Sequence, residues 1–241
     1  VMSNKTAVIA AKDATSTLYT PLGNVLQTYS INQVGLLFPS QLVSSYETNF
    51  GKTMALSEDE QWLYVGSTDK VHVYTKRLPV DHDNTTFDNH TTLFDKGKWF
   101  SKVITITSPV PLIEFGKSLA TNDDGSLLII GAPSAKVNNR IVGTAYLYTR
   151  YNSTFTLAQT FNPDQLSYNA RFGDSVCFSN NYTELLIGAP GYVDYNYHSG
   201  VVYRYICQTL VYNTILCSEL ESNVDIQNGA AMIINGVKIT F

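Results

Sequence analysis

Charge is scarce in this sequence: Asp, Glu, Lys and Arg make up 15% of 241 residues, and the formal net charge is -4. Lys and Arg form no cluster longer than Lys76-Arg77. No basic stripe therefore exists to neutralise phosphates or dock on anionic lipid, which argues against nucleic acid as a partner. No apolar run approaches the ~20 residues that a membrane-spanning helix requires. The start, Val1-Met2-Ser3-Asn4-Lys5, lacks the charged and apolar regions of a signal peptide, so the chain reads as a mature or excerpted piece.

Catalytic patterns are missing too. There is no nucleophile with an adjacent base, no paired carboxylates placed for acid-base work, no Gly-rich phosphate loop and no His-Glu metal helix. His72, between Val71 and Val73, reads as a solvent-facing or hydrogen-bonded histidine and not as a general base. The chain is read as a non-enzyme.

What is abundant points to strands. Hydrophobic residues reach 44%, with 16 Tyr and 11 Phe, the balance of a β-rich protein whose surface relies on Ser, Thr, Asn and Tyr. One pattern recurs. Phe50-Gly51 is followed by Trp62 to Gly66-Ser67 and then Lys70 to Thr75. Phe115-Gly116 leads through Asp123-Asp124-Gly125 to Leu127 to Gly131-Ala132-Pro133, then Gly143 to Tyr148. Phe172-Gly173 leads to Leu185 to Gly188-Ala189-Pro190, then Gly200 to Tyr205. Each unit reads as four short strands separated by turn signals, which predicts an all-β propeller of four-stranded antiparallel blades. Gly51, Gly116 and Gly173 are expected where backbone approaches backbone, with Phe50, Phe115 and Phe172 wedged between neighbouring blades. Pro133 and Pro190 are expected to end the second strand, because proline cannot donate the next ladder bond.

At these residues the chain resembles the FG-GAP repeat family, which builds the N-terminal propeller of integrin α subunits. Phe-Gly and Gly-Ala-Pro recur in order within single units, with Gly66-Ser67 in place of Gly-Ala-Pro in one. Approximate units are 1–49, 50–114, 115–171 and 172–227, with 228–241 starting a further blade or supplying a closing strand. Ring closure with four blades and excerption from a larger propeller both remain open; the resemblance implies a seven-bladed parent. It also implies an extracellular or cell-surface protein-interaction, adhesion or structural module. Alternatives are a carbohydrate-binding propeller and the accessory propeller of a larger enzyme.

The family's calcium loop lies between the first two strands. Here that position holds Ser57-Glu58-Asp59-Glu60, Asn122-Asp123-Asp124-Gly125 and Ser179-Asn180-Asn181, all too short to wrap an ion, so no metal or other cofactor is expected at them. Asp81-His82-Asp83 and His90, in the insertion from Leu78 to Lys98, are ligand types for a transition metal, but a polar glycosylated loop explains them equally well.

Cys207 and Cys217 fall nearly opposite once the hairpin folds about Tyr212-Asn213, close enough for a cross-strand disulfide, and Cys177 is expected to be a buried thiol. Sequons for N-glycosylation start at Asn4, Asn84, Asn89, Asn152 and Asn181, each at an expected turn or loop. Propellers bind through the connections between strands 2 and 3 and between strands 4 and 1. These are placed at Ser134 to Val142, Gly191 to Ser199, Ile31 to Asn49, Ser108 to Glu114 and Asn162 to Arg171. The most recognition-like is Tyr192-Val193-Asp194-Tyr195-Asn196-Tyr197-His198, whose tyrosines offer contact area at low entropy cost beside polar Asp, Asn and His. It shows no counterpart in residue type in Ser134 to Val142.

Overall fold

The computed structural model describes residues 6–15, 21–31, 37–77, 99–110, 114–163, 166–179, 181–194, 197–209, 215–219, 231–234 and 237–240. All regular elements among them are strands. The chain divides into two compact units, Val1–Thr107 with Asp123–Gly125, and Ser108–Asn122 with Ser126–Phe241.

The first unit holds two sheets. β1 (Thr6–Thr15), β2 (Pro21–Ile31) and β3 (Leu37–Ser45) form an antiparallel sheet in that order. β4 (Met54–Leu56), β5 (Trp62–Ser67), β6 (Lys70–Arg77) and β7 (Trp99–Thr107) form a four-stranded one. The expected connection from Ile31 to Asn49 is corrected here, because it contains β3. Pro39 hid that strand. The register of β2 against β3 slips between Thr28 and Tyr29, where Pro39 sits opposite Tyr29, and an edge strand with a bulge tolerates a residue that cannot donate.

In the second unit, β8 (Ser118–Thr121), β9 (Leu127–Ala132), β12 (Thr144–Tyr151) and β13 (Thr154–Phe161) make one four-stranded antiparallel sheet. β14 (Ser175–Phe178), β15 (Glu184–Ala189), β18 (Val201–Thr209) and β19 (Ile215–Glu219) make the next. Small ribbons lie between the second and third strands of each: β10 (Lys136–Val137) with β11 (Arg140–Ile141), and β16 (Val193–Asp194) with β17 (Tyr197–His198). β20 (Ala231–Ile234) pairs with β21 (Val237–Thr240) as a two-stranded sheet. These meandering four-stranded sheets are propeller blades. Pro133 and Pro190 directly follow β9 and β15, as expected of residues that cannot extend the ladder.

Burial follows the layer order. Every residue of β5 and β9 is buried, because second strands are covered on both faces and so carry continuous apolar runs instead of alternation. In β13, an outer strand, exposure dominates.

The Phe-Gly pair has a local cause that recurs three times. The amides of Lys52, Lys117 and Asp174 donate to the carbonyls of Asn49, Glu114 and Arg171, closing four-residue turns with Gly third. Gly51, Gly116 and Gly173 have φ of 79°, 90° and 86°, the value a type II turn demands at that place. Each glycine amide then donates to the carbonyl of the second-strand glycine, Gly66, Gly131 or Gly188, at 2.9 to 3.0 Å. The role expected of these glycines, close backbone approach, holds at Gly173, where a Cβ would sit 2.5 Å from the Thr144 carbonyl oxygen of the preceding blade. The turn conformation itself is the requirement all three share.

The phenylalanines fill one equivalent place. Phe50, Phe115 and Phe172 lie edge-on or tilted against His72, Tyr146 and Tyr203, at ring separations of 5.4, 5.6 and 5.3 Å. Phe172 is fully buried in a core shared by Ile129, Leu147 and Phe161 of one blade and Leu185, Ile187 and Tyr205 of the next. Phe172 is thus wedged between blades as expected, whereas Phe50 clusters with Leu63, Val65, Tyr74 and Phe100 of its own blade.

Cys207 and Cys217 face each other across β18 and β19 and are bonded, with Cα atoms 3.9 Å apart. Gln159 of β13 straps the same point from the neighbouring blade, its amide donating to the Cys217 carbonyl and accepting from the Cys217 amide. Cys177 corrects an expectation: it is exposed. On β14 the residues alternate, so Val176 and Phe178 pack into the core while Ser175 and Cys177 point the other way.

Candidate functional site

The connections that would bind a partner are built differently in the two units. In the first, the turn after β5 is tight, with Asp69 at φ 56°, and it is bonded straight to the connection that follows β3. The Thr68 amide and hydroxyl both donate to the Thr48 carbonyl. Glu47 of that connection accepts from Ser67 Oγ at 2.9 Å and lies 2.7 Å from His72 Nε2 and 3.4 Å from Lys70 Nζ. His72 Nδ1 lies 3.2 Å from Thr105 Oγ1. His72, 2% exposed, thus proves to be a buried and hydrogen-bonded histidine.

This cluster does not have the geometry of a nucleophilic triad. Ser67 and the imidazole share one carboxylate oxygen, so Glu47 does not orient the ring from its far nitrogen as a triad carboxylate does. His72 and Ser67 instead stand where the later blades carry Tyr146 with Ala132 and Tyr203 with Ala189. They are a polar replacement for a tyrosine and an alanine.

Burial holds the His72 imidazole below its ordinary value of 6.5, opposed by the hydrogen bond to Glu47. A folded state that binds the proton more weakly than the unfolded chain is fully stable above that value and loses stability as pH falls below it. Both tryptophans, Trp62 and Trp99, lie in the first unit, so their fluorescence reads it alone. We expect the fluorescence-detected melt to drop on acidification starting near pH 6.5, and the double substitution Ser67→Ala with His72→Tyr to remove that step. An unchanged pH profile in the double variant would disprove the assignment.

In the second unit the matching connections project as ribbons. Asn138 and Asn139, at φ 51° and 63°, form the type I′ tip between β10 and β11. β16 and β17 repeat the register, with Val193 opposite His198 and Asp194 opposite Tyr197. Residue types differ between Tyr192 to His198 and Ser134 to Val142, as expected, while the strand pairing on either side of the tip is the same. Identical spacing from Pro133 to Gly143 and from Pro190 to Gly200 was the available signal.

The connection between β13 and β14 is laced between the two ribbons. The Asn169 amide donates to the Ile141 carbonyl at 2.7 Å, the Gly191 amide to the Ala170 carbonyl at 2.9 Å, and the Val193 amide to Ser167 Oγ at 2.8 Å. Tyr168, 56% exposed, lies on that connection. Of the expected recognition residues, Tyr192 packs partly against the core, and Asp194, Tyr197 and His198 are placed by backbone on the ribbon. Tyr195 and Asn196 lie outside the described residues.

Glu114 gathers a charge cluster at the base of these connections. Glu114 accepts from Ser134 Oγ at 2.6 Å and lies 3.3 Å from Lys117 and 3.8 Å from Arg171, which also pairs with Asp174. The Ser134 hydroxyl, with these cations, holds the Glu114 carboxyl below the usual range. Such a chain of neutralised groups fixes the corner and leaves no reactive carboxylate.

Each of the short turns in the calcium-loop position is closed by its own first side chain, and the first two also meet, the Asp59 amide donating to the Asp123 carbonyl at 3.0 Å. Ser57 Oγ, Asn122 Oδ1 and Ser179 Oγ accept from the amides of Trp62, Leu127 and Glu184, the same five-residue reach in all three. Glu60 is spent on Lys76 at 2.9 Å. Among the described residues no group of three or more His, Cys, Asp or Glu side chains is placed to hold a metal ion. The Asp81, His82, Asp83 and His90 candidates lie outside the described residues. We expect EDTA to leave the thermal melt unmoved, and a fall of several degrees would show that an ion had been missed.

With this geometry in hand, similarity to solved structures can be placed. A putative 6-phosphogluconolactonase from Bacteroides fragilis matches at TM-score 0.53 and 16% identity, over 87% of this chain and 55% of that one. One from Bacteroides uniformis matches at 0.51 and 12%, over 88% and 55%. Sqt1 from Chaetomium thermophilum matches at 0.51 and 10%, over 83% and 40%. The chain thus spans about half the length of the solved structures it resembles. No protein-family model and no curated protein matches it. At such identities the likeness concerns fold alone, and the class it defines is the β-propeller.

Proposed function

We propose that this chain is part of an extracellular protein-interaction propeller of the FG-GAP, integrin-like kind, which binds another protein through the ribbons of its second unit. The observation that carries the reading is the pair of equal ribbons on adjacent blades with the Asn162 to Arg171 connection bonded between them. Two paired ribbons and the connection bonded between them, with Tyr168, Asn138 and Asn139 exposed, suit recognition of a protein surface, because backbone already fixed by hydrogen bonds loses little ordering entropy on binding. The FG-GAP part rests on the three repeated Phe-Gly turns. The extracellular part rests on the Cys207–Cys217 disulfide and the sequons.

A repeated sugar pocket would need like side chains at like places, whereas Asn138-Asn139 in one ribbon stands where Tyr195-Asn196 stands in the other. Phosphorylated lactone hydrolysis, suggested by the names of two structural neighbours, would need cations aimed at a phosphate. Lys117 and Arg171 are both engaged by carboxylates, and Lys136 and Arg140 are exposed on the β10–β11 ribbon instead of enclosed around a ligand.

Multivalent display of the full chain against an arrayed panel of secreted and receptor ectodomains tests the reading. At least one ectodomain should bind, and Tyr168→Ala and Tyr197→Ala should each weaken it at least tenfold with unchanged melts. Hapten-competed binding on a glycan array, or turnover of 6-phosphogluconolactone, would overturn it.

A further inference from the structure

Antiparallel blades sort their connections into two ends, one holding the turns between strands 1 and 2 and between strands 3 and 4, the other holding the remaining connections. In the second unit the hydrogen bonds from Asn169 to Ile141 and from Gly191 to Ala170 tie the ribbons of both blades to one end. Asn152, in the turn between β12 and β13, and Asn181, in the turn between β14 and β15, lie at the other. Both asparagines are exposed, and so are Thr154 and Thr183, the hydroxyl residues of their sequons. At Asn181 the Thr183 hydroxyl donates to Oδ1 at 2.8 Å, which raises the acidity of the Nδ2 hydrogens.

The sorting extends along the sequence. Nine asparagines lie in sequence between strands joined by connections of the first kind, and four of them start a sequon: Asn84, Asn89, Asn152 and Asn181. Eight fall in connections of the second kind, and none does. Asn84 and Asn89 lie outside the described residues and are placed only by the strands that flank them, β6 and β7; Asn4 also lies outside the described residues.

We infer that Asn152 and Asn181 carry N-linked glycans, set at the end of these blades opposite the ribbons, so that the ribbon end is kept bare for the partner. The inference rests on the extracellular reading above. In the transfer, Nδ2 bonds to C1 of a lipid-pyrophosphate-linked oligosaccharide; the C1–O bond to pyrophosphate breaks, the lipid pyrophosphate leaves with the electron pair, and the amide proton passes to a base of the transferase. Bulky, hydrated sugars at one end would hold that face in solvent and orient the opposite face for contact.

The test is to send the full chain through the secretory route of a eukaryotic cell behind a leader. Both secreted and retained protein are then treated with peptide N-glycanase in heavy-oxygen water, which turns each occupied asparagine into labelled aspartate. Label at Asn152 and at Asn181 in more than half of the molecules is expected, and each should vanish in Thr154→Ala or Thr183→Ala alone. Both sites unlabelled in protein whose Cys207–Cys217 bond is oxidised would overturn the inference and leave the binding reading standing. Occupied sites with no ectodomain bound would do the reverse. Because transfer happens before export, a chain retained in the cell is read in the same way.

Discussion

Gly131→Ala is expected to destabilise the second unit by ~4 kcal/mol, among the largest effects a single methyl can have. Gly131 does not need a left-handed backbone, so alanine is allowed conformationally and the effect is purely steric. A methyl there would overlap the Gly173 carbonyl oxygen and carbon and Ser118 Oγ. Ser118 Oγ itself donates to that carbonyl at 2.8 Å. Two backbones and one hydrogen bond between blades meet at a point with no room for a side chain, and none of the three can withdraw without opening the core around Phe172. Gly188 supplies the internal control. It holds the same place in the next blade, but a methyl there would meet only Ser175 Oγ at close range, and Ser175 is exposed and can rotate. Gly188→Ala should cost ~1 kcal/mol. Equilibrium urea unfolding of both variants decides the matter: equal losses would mean that the contact between blades does not set the cost.

That contrast shows where sequence reading succeeds and where it stops. Phe-Gly and Gly-Ala-Pro recur in the same order, so the antiparallel blades, their strand order and the ends of β9 and β15 are legible from residue types. The reason for the glycines is less so. Spacing locates Gly116 but cannot separate a left-handed turn from a close approach, because glycine serves both needs. Nor can it show that Gly131 and Gly188, identical in motif, differ in what lies against them. β3 was hidden because Pro39 weakens a strand signal that an edge position tolerates. The ribbons were hidden because Tyr192 to His198 and Ser134 to Val142 share length and register but not side chains, and attention to residue type overrides attention to spacing. The Glu47, Ser67 and His72 cluster depends on partners 20 and 25 residues apart, which no local pattern encodes.

The Glu60–Lys76 pair, also invisible to local pattern, carries the other large effect. Glu60 belongs to the acidic turn between the first two strands of its blade, yet its side chain is only 9% exposed and meets Lys76, itself 8% exposed, at 2.9 Å. The lysine also lies 5.9 Å above the ring of Phe100. The Lys76 ammonium is thus the counterion of this buried carboxylate, in agreement with a turn too short to wrap an ion. Removing one member leaves the other charge buried without its counterion, and such losses run to ~3–5 kcal/mol. We expect Glu60→Gln and Lys76→Met each to cost ~3 kcal/mol in the first unit, read by tryptophan fluorescence during urea unfolding. The double variant should cost clearly less than the two together, with a coupling of ~2 kcal/mol, because the second substitution removes the charge the first has stranded. Additive losses would sink the pairing. A melt of Glu60→Gln that calcium raises would point instead to an ion at this turn, and with it to the metal chemistry that the closed turns at Asn122 and Ser179 argue against.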